Sequence, residues 1–228
     1  MASADRSFAA VLFDIDGTLL STGGASDRAW EHAVRDFYGV EFDVGAHTGR
    51  GVPDPEVGRL VLRGVLGREP TGRELVRLMS RRMKYLPGEV TGSPGYVVKP
   101  GVRELLERLA GSDVLLGLTT GNVEPAAHAK LARADLNHFF SFGGYGSDSS
   151  ERVELTHRAI ERARRLTGEP LPAAEILAVG DTPRDVEAGH GNGIRVVGVA
   201  TGEYSLAELR EAGADWTVPT LERGLPSP

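Results

Sequence analysis

The sequence predicts an α/β fold, a doubly wound, Rossmann-like parallel-sheet core carrying an inserted α-helical cap domain. Three observations predict it. Short apolar runs of strand length alternate with stretches whose apolar residues recur every three or four positions, the pattern of β-α units on a parallel sheet. Several of these runs end abruptly in aspartate, threonine or glycine, as buried strands do when they deliver polar residues at their carboxyl ends. Between residues 20 and 98 the alternation stops, and only helical periodicity remains.

Residues 8–13 form the first apolar run and pass directly into Asp14-Ile-Asp16-Gly-Thr18. Further strands are expected over residues 114–119, 139–142, 176–179 and 194–199, with a short edge strand at 215–218. Helical stripes separate them: Val102, Leu105, Leu106 and Leu109 in one, Leu155, Ala159, Ile160, Ala163 and Leu166 in another. In the interrupting stretch Trp30, Val34, Phe37 and Tyr38 share a face, as do Val57, Leu60, Val61 and Val65, then Leu75, Leu78, Met79 and Met83. Gly23-Gly24 at one end, and Pro87-Gly88 through Pro94-Gly95 at the other, read as joints. The expected division is therefore an α/β core of residues 1–19 and 99–228, and a helical cap of residues 20–98. The glycine-rich Gly143-Gly144-Tyr145-Gly146 completes no dinucleotide fingerprint and reads as a turn.

Composition narrows the function classes. At 228 residues, with 40% hydrophobic and 25% charged residues, the chain can bury a sizeable core. A net charge of −6 argues against nucleic acid and anionic membranes as partners. There is no cysteine, which removes disulfides, zinc–thiolate sites and cysteine nucleophiles. The first apolar run is too short for a signal-peptide core or a membrane span, so a cytoplasmic protein is expected. Nothing in the sequence specifies an assembly.

Four short motifs carry the chemistry. Alternate residues of an extended chain point the same way, so Asp14 and Asp16 should project together where the first strand ends. Carboxyl ends of strands in open parallel sheets are where ligands bind. One carboxylate can act as nucleophile toward phosphorus while the other protonates the leaving alcohol and later deprotonates water. Two anions would repel a phosphate, and Mg2+ held by oxygen ligands removes that obstacle. A lone Asp-x-Asp-Gly more commonly caps a turn; the buried strand ahead of this one favours chemistry. The second motif, Gly180-Asp181-Thr182-Pro183-Arg184-Asp185, repeats the arrangement, with Pro183 suited to a first helical turn that brings Asp185 to the same mouth. The third, Thr119-Thr120-Gly121-Asn122, follows a strand and precedes a helix, where hydroxyl and amide donors suit a phosphoryl group. Thr120 is preferred over Thr119 because Gly121 beside it permits close backbone approach. The fourth is Arg152 near a helix start, a position disfavoured by the helix dipole unless the cation has a partner. In the insertion, Arg50 lies in the polar loop Thr48-Gly49-Arg50-Gly51 and is a candidate substrate contact.

In this order, Asp14-Ile-Asp16-Gly-Thr18, Thr120-Gly121, Arg152 and Gly180-Asp181-x-x-x-Asp185 resemble the haloacid dehalogenase-like hydrolase superfamily, in its phosphoglycolate-phosphatase-like branch. The resemblance runs from residue 8 to about 218. It implies a phosphoric monoester hydrolase with Asp14 as nucleophile, Asp16 as acid/base and carbonyl ligand to Mg2+, and Asp181 and Asp185 as further metal ligands. It also implies that Thr120 and the Gly121 amide hold the phosphoryl oxygens, next to Asn122, and that residues 20–98 are a small mobile cap. Arg152 stands where that family usually has lysine, a substitution that exchanges a point charge for a planar fork. Asp16 speaks against dehalogenation, since dehalogenating members lack it. The expected substrate is a small phosphorylated metabolite. A sugar-phosphate phosphomutase and a phosphoaspartate signalling module without turnover stand as alternatives.

Overall fold

The computed structural model describes residues 8–49 and 51–226. Six parallel strands form one sheet: β1 (Ala10–Phe13), β4 (Leu115–Thr120), β5 (Phe142–Tyr145), β6 (Ile176–Gly180), β7 (Arg195–Val199) and β8 (Trp216–Val218). Their order is β5-β4-β1-β6-β7-β8, which places β1 in the middle with β4 and β6 at its sides. Every residue of β1 is buried, and the two faces divide as the pleat requires. Val11 and Phe13 enter one apolar cluster with Leu105 and Leu106 of α4 (Val102–Ala110) and Ala127 and Leu131 of α5 (Glu124–Ala132). Ala10 and Leu12 enter the other, with Ala159 and Ile160 of α6 (Arg152–Thr167) and Val186 of α7 (Pro183–Gly191). Burial on both faces explains why β1 reads as an unbroken apolar run rather than an alternating one. A short helix, α8 (Leu206–Glu211), leads into β8.

Three helices occupy the interrupting stretch: α1 (Ala25–Tyr38), α2 (Asp54–Leu66) and α3 (Gly72–Gly92). Trp30, Val34, Val57, Val61, Leu75 and Leu78 meet in an apolar cluster of their own, so the helical stripes are spent on one another. A second contact set joins Ala25, Ala29, Leu86 and Val90 to Val123 and Ala126 at the start of α5. Thr71 caps α3 with a reciprocal box: its side chain accepts from the Glu74 amide, and the Glu74 carboxylate accepts from the Thr71 amide. Among the described residues no helix is long and apolar enough to cross a membrane.

Five details differ from the sequence reading, one of them Leu166, which is exposed on α6 instead of joining the buried stripe of Leu155, Ala159, Ile160 and Ala163. Leu20–Ser21 (β2) and Val97–Val98 (β3) pair as a two-stranded antiparallel ribbon, where no strand was expected. Two residues a side are too few for any periodicity to register. Pro87 and Gly88 do not form a joint but lie inside α3, which Leu86 and Val90 hold against α1 and α5; packing overrides the local breakers. The third strand is displaced toward the C-terminus, because residues 137–139 turn as a 3-10 helix and β5 begins at Phe142. That places Gly143 and Gly144 in the edge strand instead of a turn, paired to Leu118 and Thr119.

Candidate active site

The register of the sheet builds the centre of the site. Phe13 lies opposite Val179, and the Asp14 amide continues the ladder by donating to the Val179 carbonyl at 3.0 Å. Two neighbouring strands thus end together and deliver Asp14 and Asp181 side by side. Thr182 caps α7, and Pro183 occupies its first turn. One turn later Asp185 folds back: its Oδ2 accepts from the Thr182 amide at 3.0 Å and the Thr182 hydroxyl at 2.7 Å. Carboxylate oxygens of Asp14, Asp181 and Asp185 come within 4.8 Å of one another, and all three residues are buried. Thr18 donates its hydroxyl to Asp181 Oδ1 at 2.9 Å.

Burial, then neighbouring charge, dominates the electrostatics of Asp14 and Asp181. Burial pushes the Asp14 carboxyl up to about 7; Arg152 opposes the rise, and Asp185 and Asp16 add to it. Asp181 is pushed up to about 8 by burial, then by the negative charges of Asp185 and Asp14. Three buried carboxylates crowded this closely, all offering hard oxygen donors, are a donor set suited to a divalent cation.

Arg152 begins α6 and has the partners its awkward position demanded. Its Nη2 lies 3.4 Å from Asp14 Oδ1, and the same atom bonds Asp185 Oδ1 closely. Burial disfavours its charge, but Asp185 and Asp14 outweigh that and hold the guanidinium firmly protonated. Glu154, a rival partner on the same helix, pairs with Arg158 instead.

Asp16 lines the same cavity as Asp14. Its Oδ2 accepts from Asn122 Nδ2 at 2.8 Å and from Lys130 Nζ at 2.6 Å. Burial works against its ionisation, yet Lys130 and the Asn122 hydrogen bond prevail and hold it below the usual carboxylate value. Lys130 was not among the residues singled out from sequence. The signal was there: it sits four residues after Ala126 on the buried face of α5, and a lysine on an apolar stripe is 3% exposed only when something pairs it.

The two threonines part company. Thr119 Oγ1 lies 2.8 Å from Thr156 Oγ1, away from the mouth, whereas Thr120, Gly121 and Asn122 line the cavity. The cavity encloses about 460 Å³ between these core residues and a wall from the insertion that includes Thr22, Ser26, Asp27, Trp30, Thr48 and Asp54. Trp30 serves both as insertion core and as part of that wall. Arg50 lies outside the described residues.

Comparison with known proteins adds a family. A model for haloacid dehalogenase-like hydrolases matches residues 8–193. The phosphoglycolate phosphatase of Salmonella typhimurium is 26% identical over 217 residues, covering 87% of this chain and 83% of its own. The phosphorylated carbohydrates phosphatase of Thermotoga maritima is 27% identical over 210 residues, covering 90% and 91%. The crystal structure of a predicted phosphoglycolate phosphatase from Haemophilus somnus superposes with a TM-score of 0.73 at 21% identity, over 94% of this chain and 95% of that one, a likeness of fold.

Proposed function

The chain belongs to the haloacid dehalogenase-like hydrolases and is a phosphatase; on that premise we propose that it hydrolyses phosphate monoesters of small metabolites through an aspartyl-phosphate on Asp14. The observation that carries this reading is the convergence of Asp14, Asp181 and Asp185, from two adjacent strand ends, beside a cavity that Asp16 also faces. An Asp14 oxygen attacks phosphorus, the bond to the leaving oxygen breaks, and Asp16 gives that oxygen its proton. Lys130 and Asn122 favour the Asp16 carboxylate, and the arriving dianion raises its proton affinity for this first step. In the second step Asp16, again a carboxylate, takes a proton from water as the water oxygen attacks phosphorus and releases Asp14. Thr120 and the Gly121 amide donate to the phosphoryl oxygens and Arg152 offsets their charge, a reading supported by their place in the cavity lining. Magnesium, held by Asp14, Asp181, Asp185 and the Asp16 carbonyl, would supply the positive charge that lets a dianion approach these carboxylates. Residues 20–98 act as a cap whose closing excludes water from the mouth.

The test is release of inorganic phosphate from an aryl phosphate and from a panel of phosphorylated metabolites, with and without Mg2+. Steady release that depends on Mg2+ and disappears in Asp14→Asn is the expected result. Undiminished turnover in Asp14→Asn rules out the nucleophile, and an isomeric product with no free phosphate turns the reading to a phosphomutase.

A further inference from the structure

One residue of the insertion is built into the backbone of the phosphate-binding loop. Asp54 starts α2, and its amide donates to the Gly121 carbonyl at 2.8 Å. Its Oδ2 accepts from the Val123 amide at 2.9 Å. The residue between these two contacts is Asn122, whose side chain reaches Asp16. The core ties the same segment too: the Gly146 amide donates to the Asn122 carbonyl at 2.8 Å, and the Ala126 amide to the Val123 carbonyl at 2.9 Å. The fit is close enough to need glycine at 121, where a Cβ would meet Pro53 Cα at 2.9 Å. Behind Asp54 stands Arg82 of α3: its Nη1 donates to Asp54 Oδ2 at 2.7 Å and its Nη2 to Ser26 Oγ at 2.9 Å. The guanidinium lies 4.6 Å from the Trp30 ring centroid, and both partners of the ion pair are buried. Among the described residues Arg82 Nε has no hydrogen-bond partner. A buried ion pair with a donor left over is a poor device for stability alone, since an apolar pair of similar size does as well or better.

We propose that Asp54 is a positioning residue: with Arg82 fixing its carboxylate, it sets the Gly121–Val123 backbone from the insertion side and so aims Asn122 at Asp16. This rests on the phosphatase reading and adds a consequence to it. The phosphate loop has its working shape only while the insertion is seated, so cap closure and alignment of Asp16 are one event. Substrate held under the cap then meets an aligned acid/base, and an open cap leaves that group unaligned.

The experiment compares two double variants that both remove the buried charges. Asp54→Asn with Arg82→Met keeps an oxygen to accept from the Val123 amide; Asp54→Leu with Arg82→Met does not. Melting temperature, kcat and KM on an aryl phosphate, and inhibition by orthovanadate are measured for each beside the wild type. Both variants are expected to melt near the wild type. The Asn/Met variant should keep kcat within about threefold, while the Leu/Met variant loses roughly 10- to 100-fold in kcat and binds orthovanadate correspondingly less tightly. Equal kcat in two folded double variants overturns the proposal and leaves the ion pair as scaffolding. Should Leu/Met not fold, Asp54→Asn alone decides: a folded variant that loses more than about tenfold in kcat overturns the role given to the acceptor oxygen. Wild-type turnover in the same assay keeps this outcome separate from failure of the phosphatase reading, which would show as no phosphate release at all.

Discussion

The mouth of the sheet and the helical insertion hold their polar groups by different means. At the mouth, backbone register does the work: Asp14 and Asp181 sit together because β1 and β6 are paired residue by residue up to Phe13 and Val179. In the insertion, side chains pack into a local cluster around Trp30 and Leu78, and contact with the core passes through a few points such as Asp54 and the Val90–Val123 seam. A site fixed by sheet hydrogen bonds tolerates little displacement. One fixed by helices resting on a seam can be lifted and replaced. On the proposed function, chemistry belongs to the first region, and selection of the leaving group to the second.

The largest expected effect tests the mouth. Asp14→Asn keeps the side chain's shape but removes the proposed nucleophile, and phosphate release should fall by about 10⁴-fold or more with the melting temperature unchanged or raised. A fall of only a few-fold would mean that register alone does not define the catalytic group. Next comes Lys130→Met, which keeps the buried stem and removes the charge on Asp16. A loss of about 10²-fold in kcat is expected, with a much smaller change in KM. An unchanged kcat would show that Asn122 alone suffices to hold Asp16.

Acidity sharpens the contrast further. Asp14 and Asp181 are raised to about 7 and about 8 in the folded protein, well above ordinary carboxylates. Between those ordinary values and about 8 the folded chain binds more protons than the unfolded one, so their contribution to stability is present at low pH and is lost as pH rises through the window. Thermal melts of metal-free protein should therefore show a falling melting temperature from about pH 5 to about pH 8, and Mg2+ should restore more at the upper end than at the lower. Equal stabilisation by Mg2+ at both ends would place the cation away from these carboxylates. The smallest effect lies in the insertion: Thr71→Ala removes the α3 cap and should lower stability by about 1 kcal/mol, read from urea melts, with kcat at the mouth unaltered.

How far the sequence revealed this division follows from the same physics. β1, β4, β6 and β7 were legible because both faces are buried, and Asp14, Asp16, Asp181 and Asp185 followed from where those runs stop. Arg152 was suggested only by its place at a helix start, where the dipole disfavours a cation without a partner and where a neighbouring glutamate would have served as well. Lys130, Asp54 and Arg82 were not read, although each is a charge on a buried helical face. Their partners lie 114 positions away for Lys130 and 28 for Asp54 and Arg82, on other elements, and helical spacing carries no information about what stands across a gap. Pro87 misled for the related reason that a local breaker says nothing of the neighbours that hold a helix together.

The small ribbon of Leu20–Ser21 and Val97–Val98 has a last consequence. Departure and return of the chain lie one strand spacing apart, so the sheet experiences the 75 residues between them as though they were a single tight turn. A gate of any size can hang from such a doorpost without altering the frame. A chain shortened to a few glycines between Ser21 and Val97 should still assemble its sheet, stripped of whatever the gate let through.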